Sequence, residues 1–158
     1  MISIICCTIR QNLMGDIFEN YDKQDIEDKE LIIVLNKDDI KEENWELRAS
    51  MSKNVYIYKL PEKTTLGECL NYGIQKAKHK LIAKFDDDDF YSKKYIRTSI
   101  NFLNISKADI VGKRTTLIYF EQEHALVLHN PGKENKFVYQ GIKKRNSSKH
   151  SFSKFKFR

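Results

Sequence analysis

Four short apolar runs, each followed by a helical pattern, constrain this chain more than any other feature. Ile2–Cys7 (ISIICC) is continuous and rich in β-branched residues, and Leu31–Leu35, Val55–Leu60 and Leu81–Phe85 are further short, mainly apolar runs. Strands buried on both faces of a parallel sheet have this character. After the first run, Leu13, Ile17 and Tyr21 recur at helical spacing, with Met14 and Phe18 beside them. Lys41–Ser52 is strongly charged and reads as a surface helix carrying Trp45. Leu66, Cys69, Leu70, Gly73, Ile74 and Ala77 follow the i, i+3, i+4, i+7 pattern, which predicts a helix over Thr65–Lys78. Thr65 and Glu68 fit a capping box at its start. Tyr95, Ile96, Ser99, Ile100 and Leu103 mark a fourth helix. This order specifies an α/β fold: a Rossmann-like, mostly parallel sheet with helices on both faces.

The pattern then changes. Asp109–Val111, Thr115–Phe120 and Leu126–His129 are strand-like and closely spaced, so a short antiparallel portion is expected there. Asn130-Pro131-Gly132 is a turn. Beyond Gln140 the sequence becomes polar and of low complexity. One domain is expected over residues 1–140, followed by a basic, flexible tail over 141–158.

Hydrophobic content of 41% and charged content of 32% describe a globular chain. No run of 18 apolar residues is present, and Met1–Ile9 lacks the basic start and cleavage site of a signal peptide. The cytoplasm, or the inner face of a membrane, is the expected location. Cys6, Cys7 and Cys69 cannot all pair and lack metal-ligand spacing, so they read as small buried apolar groups. The net charge is +6, but from Lys133 to Arg158 nine Lys/Arg stand against one Glu, leaving the first 132 residues near −2. The basic balance belongs to the tail and gives no reason to make the chain a nucleic-acid binder. Phe152, Phe155 and Phe157 alternate with Lys and Arg there, a stacking-plus-phosphate pattern that reads better as an amphipathic packing end.

The fourth apolar run delivers Asp86-Asp87-Asp88-Asp89. Four adjacent carboxylates repel one another, and a hard divalent cation held by their oxygens would relieve the repulsion. Ligands of open α/β sheets bind just beyond the carboxyl ends of the strands, where this cluster falls. The competing expectation is an acidic loop capping the next helix.

Four features therefore stand in order: Thr8-x-Arg10 after the first strand, Asn36 after the second, the helix with Glu68 and Asn71, and Asp86–Asp89. Together ISIICCTIR, ELIIVLNKDD and LGECLNYGIQKAKHKLIAKFDDDDFY resemble the nucleotide-binding half of a family 2 glycosyltransferase of the GT-A fold. The resemblance extends less sharply through ADIVGKRT to about Val138. It implies a metal-dependent enzyme that binds a nucleotide-diphosphate sugar, a UDP-sugar first, and transfers the sugar with inversion to a saccharide or lipid-linked acceptor. Bacterial envelope polysaccharide assembly is the implied setting, with a homodimer left open.

The resemblance also implies roles. Asp86 and Asp88 match the DxD pair, with Asp88 on Mn²⁺ or Mg²⁺ and Asp86 on the ribose or a metal-bound water. Asp87 falls among the nucleotide contacts. Asp89 points to the donor sugar or caps the next helix. Thr8 and Arg10 line the nucleotide pocket, and Asn36 replaces the usual base-reading aspartate. Asn71 lies near base and ribose, beside Leu70 where an arginine is common. Glu68 divides between nucleotide contact and capping box.

The family's general base is an aspartate after a Gly-Gly segment and an aromatic-rich helix. Val138-Tyr-Gln-Gly-Ile142 has one glycine, and no acidic residue follows Glu134. The catalytic residue is thus unknown, with Glu121, Glu123 or another chain as sources of a base. A donor-binding remnant without efficient transfer is the alternative expectation. A nucleotidyltransferase is disfavoured because Cys6–Asn12 holds no glycine-rich loop. His124 and His129 have no metal-spaced partner and read as surface residues. Tyr56, Tyr58, Tyr119 and Phe120 read as core or edge packing.

Overall fold

A computed structural model describes residues 1–113, 115–120, 122–129 and 131–132, and the backbone of 155–157. Four parallel strands form its centre: β1 (Ile2–Thr8), β2 (Lys29–Leu35), β3 (Val55–Lys59) and β4 (Leu81–Phe85), in spatial order β3-β2-β1-β4. The register sets Ile4 beside Leu31 on one flank and Ala83 on the other. A fifth strand, β7 (Phe155–Phe157), runs antiparallel beyond β4, with Leu81 opposite Phe157. It lies within the segment expected to be a flexible tail; the rest of 141–158 is outside the described residues.

Alternate side chains of β1 leave through opposite faces, as the period of a strand requires. Ile2, Ile4 and Cys6 join the larger core with helices α1 (Met14–Asp22), α2 (Glu42–Ala49) and α4 (Tyr95–Ser106). Ile5 and Cys7 join the smaller one, under α3 (Leu66–Lys76). Helices thus cover both faces, three against one. Trp45 makes α2 more than a surface helix. It is fully buried, near Phe18, and donates to Gln11 Oε1 at 2.8 Å from a short 3-10 turn, Gln11–Leu13.

On the opposite face α3 lies close to the sheet because Gly73 has no side chain. A Cβ there would stand 2.7 Å from Ile5 Cγ2, inside any normal contact. The capping box forms as the spacing predicts: Thr65 Oγ1 accepts from the Glu68 amide, and Glu68 accepts from the Thr65 amide at 2.8 Å. All three cysteines are free, and burial pushes the Cys7 thiol up to about 12.

A two-stranded antiparallel sheet follows α4, made by β5 (Thr116–Phe120) and β6 (Ala125–His129). The strand expected at Asp109–Val111 does not form. That segment is largely exposed, Ile110 included, and has no buried face to pack.

Candidate functional site

The loop after β4 is built around three aromatic rings. Phe85 stacks on Tyr91 with centroids 3.7 Å apart, and Tyr95 meets both edge-on. Stacking brings Tyr91 back over the strand end, where its hydroxyl accepts from the Asp86 amide at 2.8 Å. Asn20, buried on α1, closes the loop from the side. Its Nδ2 donates to the Asp89 carbonyl at 2.8 Å, and its Oδ1 accepts from the Tyr91 amide at 3.0 Å. Gln24 repeats the device one turn on, donating to the carbonyls of Asn20 and Ser92 and accepting from the Ile96 amide. Buried backbone groups must be paired, and here two amide side chains pair them.

The four carboxylates then take different surroundings. Asp87 is buried and held from the end of β1 and the residues just after it: Thr8 Oγ1 donates to it at 2.6 Å, Arg10 Nε at 3.0 Å, and Arg10 Nη2 reaches its other oxygen. This forked contact is the strong, geometry-selecting kind. Arg10 Nη2 also lies 3.0 Å from Asp88, and these two carboxylates hold the guanidinium well above its ordinary value. Lys84 pairs with Asp86. The repulsion read from the sequence is thus relieved in large part by Arg10 and Lys84.

Asp89 is the most deeply buried of the four: only 4% of it is exposed, its oxygens are shielded from solvent, and Tyr91 is the hydrogen-bonding neighbour that favours its ionised form. Burial, reinforced by Asp86 and Asp88, pushes its carboxyl up to about 8. Its expected helix-capping role does not hold: α4 begins at Tyr95, its N-cap is Lys94, and its first turn holds no acid.

Asp87, Asp88 and Asp89 form one edge of a cleft of about 730 Å³ between α1 and the β5–β6 hairpin. Asp16, Glu19, Asn20 and Lys23 line it from α1; Leu117, Tyr119, Glu123 and Leu126 line it from the hairpin. Tyr119 is half exposed in that wall rather than packed in a core. Glu123 is one of the two carboxylates weighed as a base; Glu121 is outside the described residues.

Of the nucleotide-side residues, Thr8, Arg10, Asp87 and Asp88 meet directly. Asn36 joins them through its backbone, whose amide donates to the Thr8 carbonyl at 2.9 Å. Its side chain donates to the Pro61 carbonyl at 2.7 Å, which leaves the amide oxygen as an acceptor. Glu68 is engaged by Thr65, whose donors hold its carboxyl below the ordinary value. Asn71 is exposed on α3, and no hydrogen bond or ion pair joins it or Glu68 to the aspartates among the described residues.

No three His, Cys, Asp or Glu side chains converge as a metal cage among the described residues. The donor set still suits a hard cation. Asp86 and Asp88 are each about one-third exposed at the end of β4, and Mg²⁺-like ions commonly take one or two carboxylates plus phosphate oxygens.

Asn20, Gln24 and Tyr91 were not among the residues singled out by sequence. The one available signal was Asn20 between Ile17 and Tyr21, a polar residue on an apolar stripe.

No curated protein matches the chain at a significant level. Solved structures do. A structure of S. aureus TarS 1–349 has a TM-score of 0.61 at 17% identity, over 69% of this chain and 34% of that one. TarS 1–349 in complex with UDP-GlcNAc gives 0.59 at 17%, over 69% and 32%. The mannosyltransferase PcManGT from Pyrobaculum calidifontis, in complex with GDP-Man and Mn²⁺, gives 0.62 at 16%, over 73% and 35%. The chain thus spans about a third of the length of these neighbours, and the likeness establishes the GT-A fold. The sequence profile described as Glycosyl transferase family 2 matches residues 3–155, nearly the whole chain. The chain belongs to glycosyl transferase family 2.

Proposed function

We propose that this chain binds a nucleoside-diphosphate sugar at the carboxyl ends of β1, β2 and β4, and transfers the sugar with inversion to a saccharide or lipid-linked acceptor of an envelope polysaccharide. One observation carries the reading: Thr8 at the end of β1 and Arg10 just after it are fastened to Asp87, and Arg10 also to Asp88, after β4, at the strand ends where such sheets take ligands. Family membership and the UDP-GlcNAc and GDP-Man complexes of the neighbours support it.

Arg10, with its side chain 42% exposed, offers a guanidinium to a phosphate. Asn36 offers an acceptor to a base edge. Asp86 and Asp88 would hold Mn²⁺ or Mg²⁺, a reading supported by the Mn²⁺ in the mannosyltransferase complex. When bound, such a cation neutralises charge on the departing diphosphate. Glu123 is the cleft-lining hairpin carboxylate available to take the acceptor's proton. The alternative, donor binding without efficient transfer, shares every donor-side contact and differs only in turnover.

Titration with UDP and GDP, with and without Mn²⁺, tests the reading. Metal should strengthen binding in the parent, and Asp88→Ala should remove that dependence. Asn36→Ala should weaken UDP by about 0.5–1.5 kcal/mol, a typical hydrogen bond. Failure to bind either nucleotide would overturn the function; equal binding with and without Mn²⁺ would overturn the metal role.

A further inference from the structure

One phenol ties the two ends of the aspartate turn together, and no step of the proposed reaction uses it. Tyr91 is fully buried, its ring stacked on Phe85 and met edge-on by Tyr95. Its hydroxyl accepts from the Asp86 amide at 2.8 Å and is the hydrogen-bonding neighbour of the Asp89 side chain. A phenol carries one donor proton and can also accept, so a single oxygen serves both ends of Asp86–Asp89. The backbone draws the same turn together, with the Asp89 amide 3.5 Å from the Asp86 carbonyl. From outside, Asn20 fixes the Tyr91 amide at 3.0 Å. The place of the phenol oxygen is therefore set by ring packing and by α1, and not by the aspartates themselves.

The nucleotide side of the site is held by other means. Thr8 and Arg10 grip Asp87, and neither contact runs through Tyr91. Asp86 and Asp88, the carboxylates assigned to the cation, sit on the span whose ends the phenol secures. Asp86 pairs with Lys84 and Asp88 with Arg10, and ion pairs of partly exposed, flexible groups hold direction weakly. An ion such as Mg²⁺ demands near-ideal octahedral geometry, and a site left about 1 Å too loose fails. We propose that Tyr91 is a positioning residue for cation binding: its hydroxyl, acting through the Asp86 amide and the Asp89 side chain, aims the Asp86 and Asp88 carboxylates. This rests on the transferase reading and assigns the phenol to its cation half, leaving the nucleotide half to Thr8, Arg10 and Asn36.

The experiment measures UDP binding to the full chain by calorimetry, with and without Mn²⁺, and reads the ratio of the two dissociation constants. Tyr91→Phe keeps the stacked ring and removes the oxygen. It should lower this metal enhancement about five-fold, the scale of one hydrogen bond. The metal-free constant should stay within about two-fold of the parent's, the scale below one such bond. Ile33→Val, in the buried core of β2, destabilises the chain without touching the turn and should keep the full enhancement. Urea midpoints verify that each variant is folded. A further measurement needs no variant: in the parent, the Asp86 amide should exchange with solvent at least about tenfold more slowly than the Asp88 amide. Unchanged enhancement in Tyr91→Phe, an equal loss in Ile33→Val, or equal exchange at the two amides overturns the inference. So does a parallel loss of metal-free binding in Tyr91→Phe, which marks the phenol as structural only. A parent that binds UDP equally with and without Mn²⁺ removes the cation role and this inference with it. A parent that binds neither UDP nor GDP sinks the proposed function itself.

Discussion

On one wall of the cleft, the backbone from Asp86 to Tyr91 is pinned by side chains that come from other elements: Asn20 of α1, Arg10 after β1, and the Phe85–Tyr91–Tyr95 rings. On the other wall, β5 and β6 pair with each other, and only Thr116 and Ile118 of the ten strand residues are buried. A two-stranded hairpin is marginal by itself. Its Leu117–Leu128 and Tyr119–Leu126 pairs put four large side chains in solvent on one face. The aspartate loop thus takes its shape from polar and aromatic contacts with distant elements, whereas the two hairpin strands take theirs from their mutual ladder.

The comparison breaks most readily at Asn20. Asn20→Leu keeps the size but leaves the Asp89 carbonyl and the Tyr91 amide buried and unpaired, at one to three kcal/mol each. A loss of about 3 kcal/mol in urea-unfolding stability is expected; a loss below about 1 kcal/mol would show that the loop is held mainly by its rings. A smaller effect is expected at the hairpin's buried point. Ile118→Val should cost about 0.5–1.5 kcal/mol, measured the same way, and no change would mean that the hairpin is not part of the cooperative unit. The smallest is expected on the exposed face. Leu117→Ser should stay within about 0.5 kcal/mol, and a larger loss would reveal that this face is covered in solution.

Much of the sheet was legible because its signals are local. ISIICC and LIIVL are apolar on both faces, and both are buried on both faces. The Thr65–Glu68 box spans one turn, so its spacing alone specified it. Asp109–Val111 misled because Ile110 and Val111 match a strand's composition, whereas Ile110 is exposed and Val111 only partly buried. The aspartate site was legible in place but not in arrangement. Asn20 and Gln24 look like surface amides, and their partners lie about 70 positions away. The same distance hid the pairing of Arg10 with Asp87, 77 positions apart, although Arg10 itself was singled out. Mutual repulsion in Asp86–Asp89 pointed to a missing cation, whereas two of the chain's own cations already stand there.

That occupancy turns any later cation binding into an exchange. A divalent ion approaching Asp88 meets a carboxylate already shared with Arg10, so its net affinity is the difference between two attachments. On the proposed function, Arg10 released from Asp88 would stand at the same strand end to meet an incoming phosphate. Cation uptake and anion uptake would then be thermodynamically linked through one side chain, each lowering the work of the other.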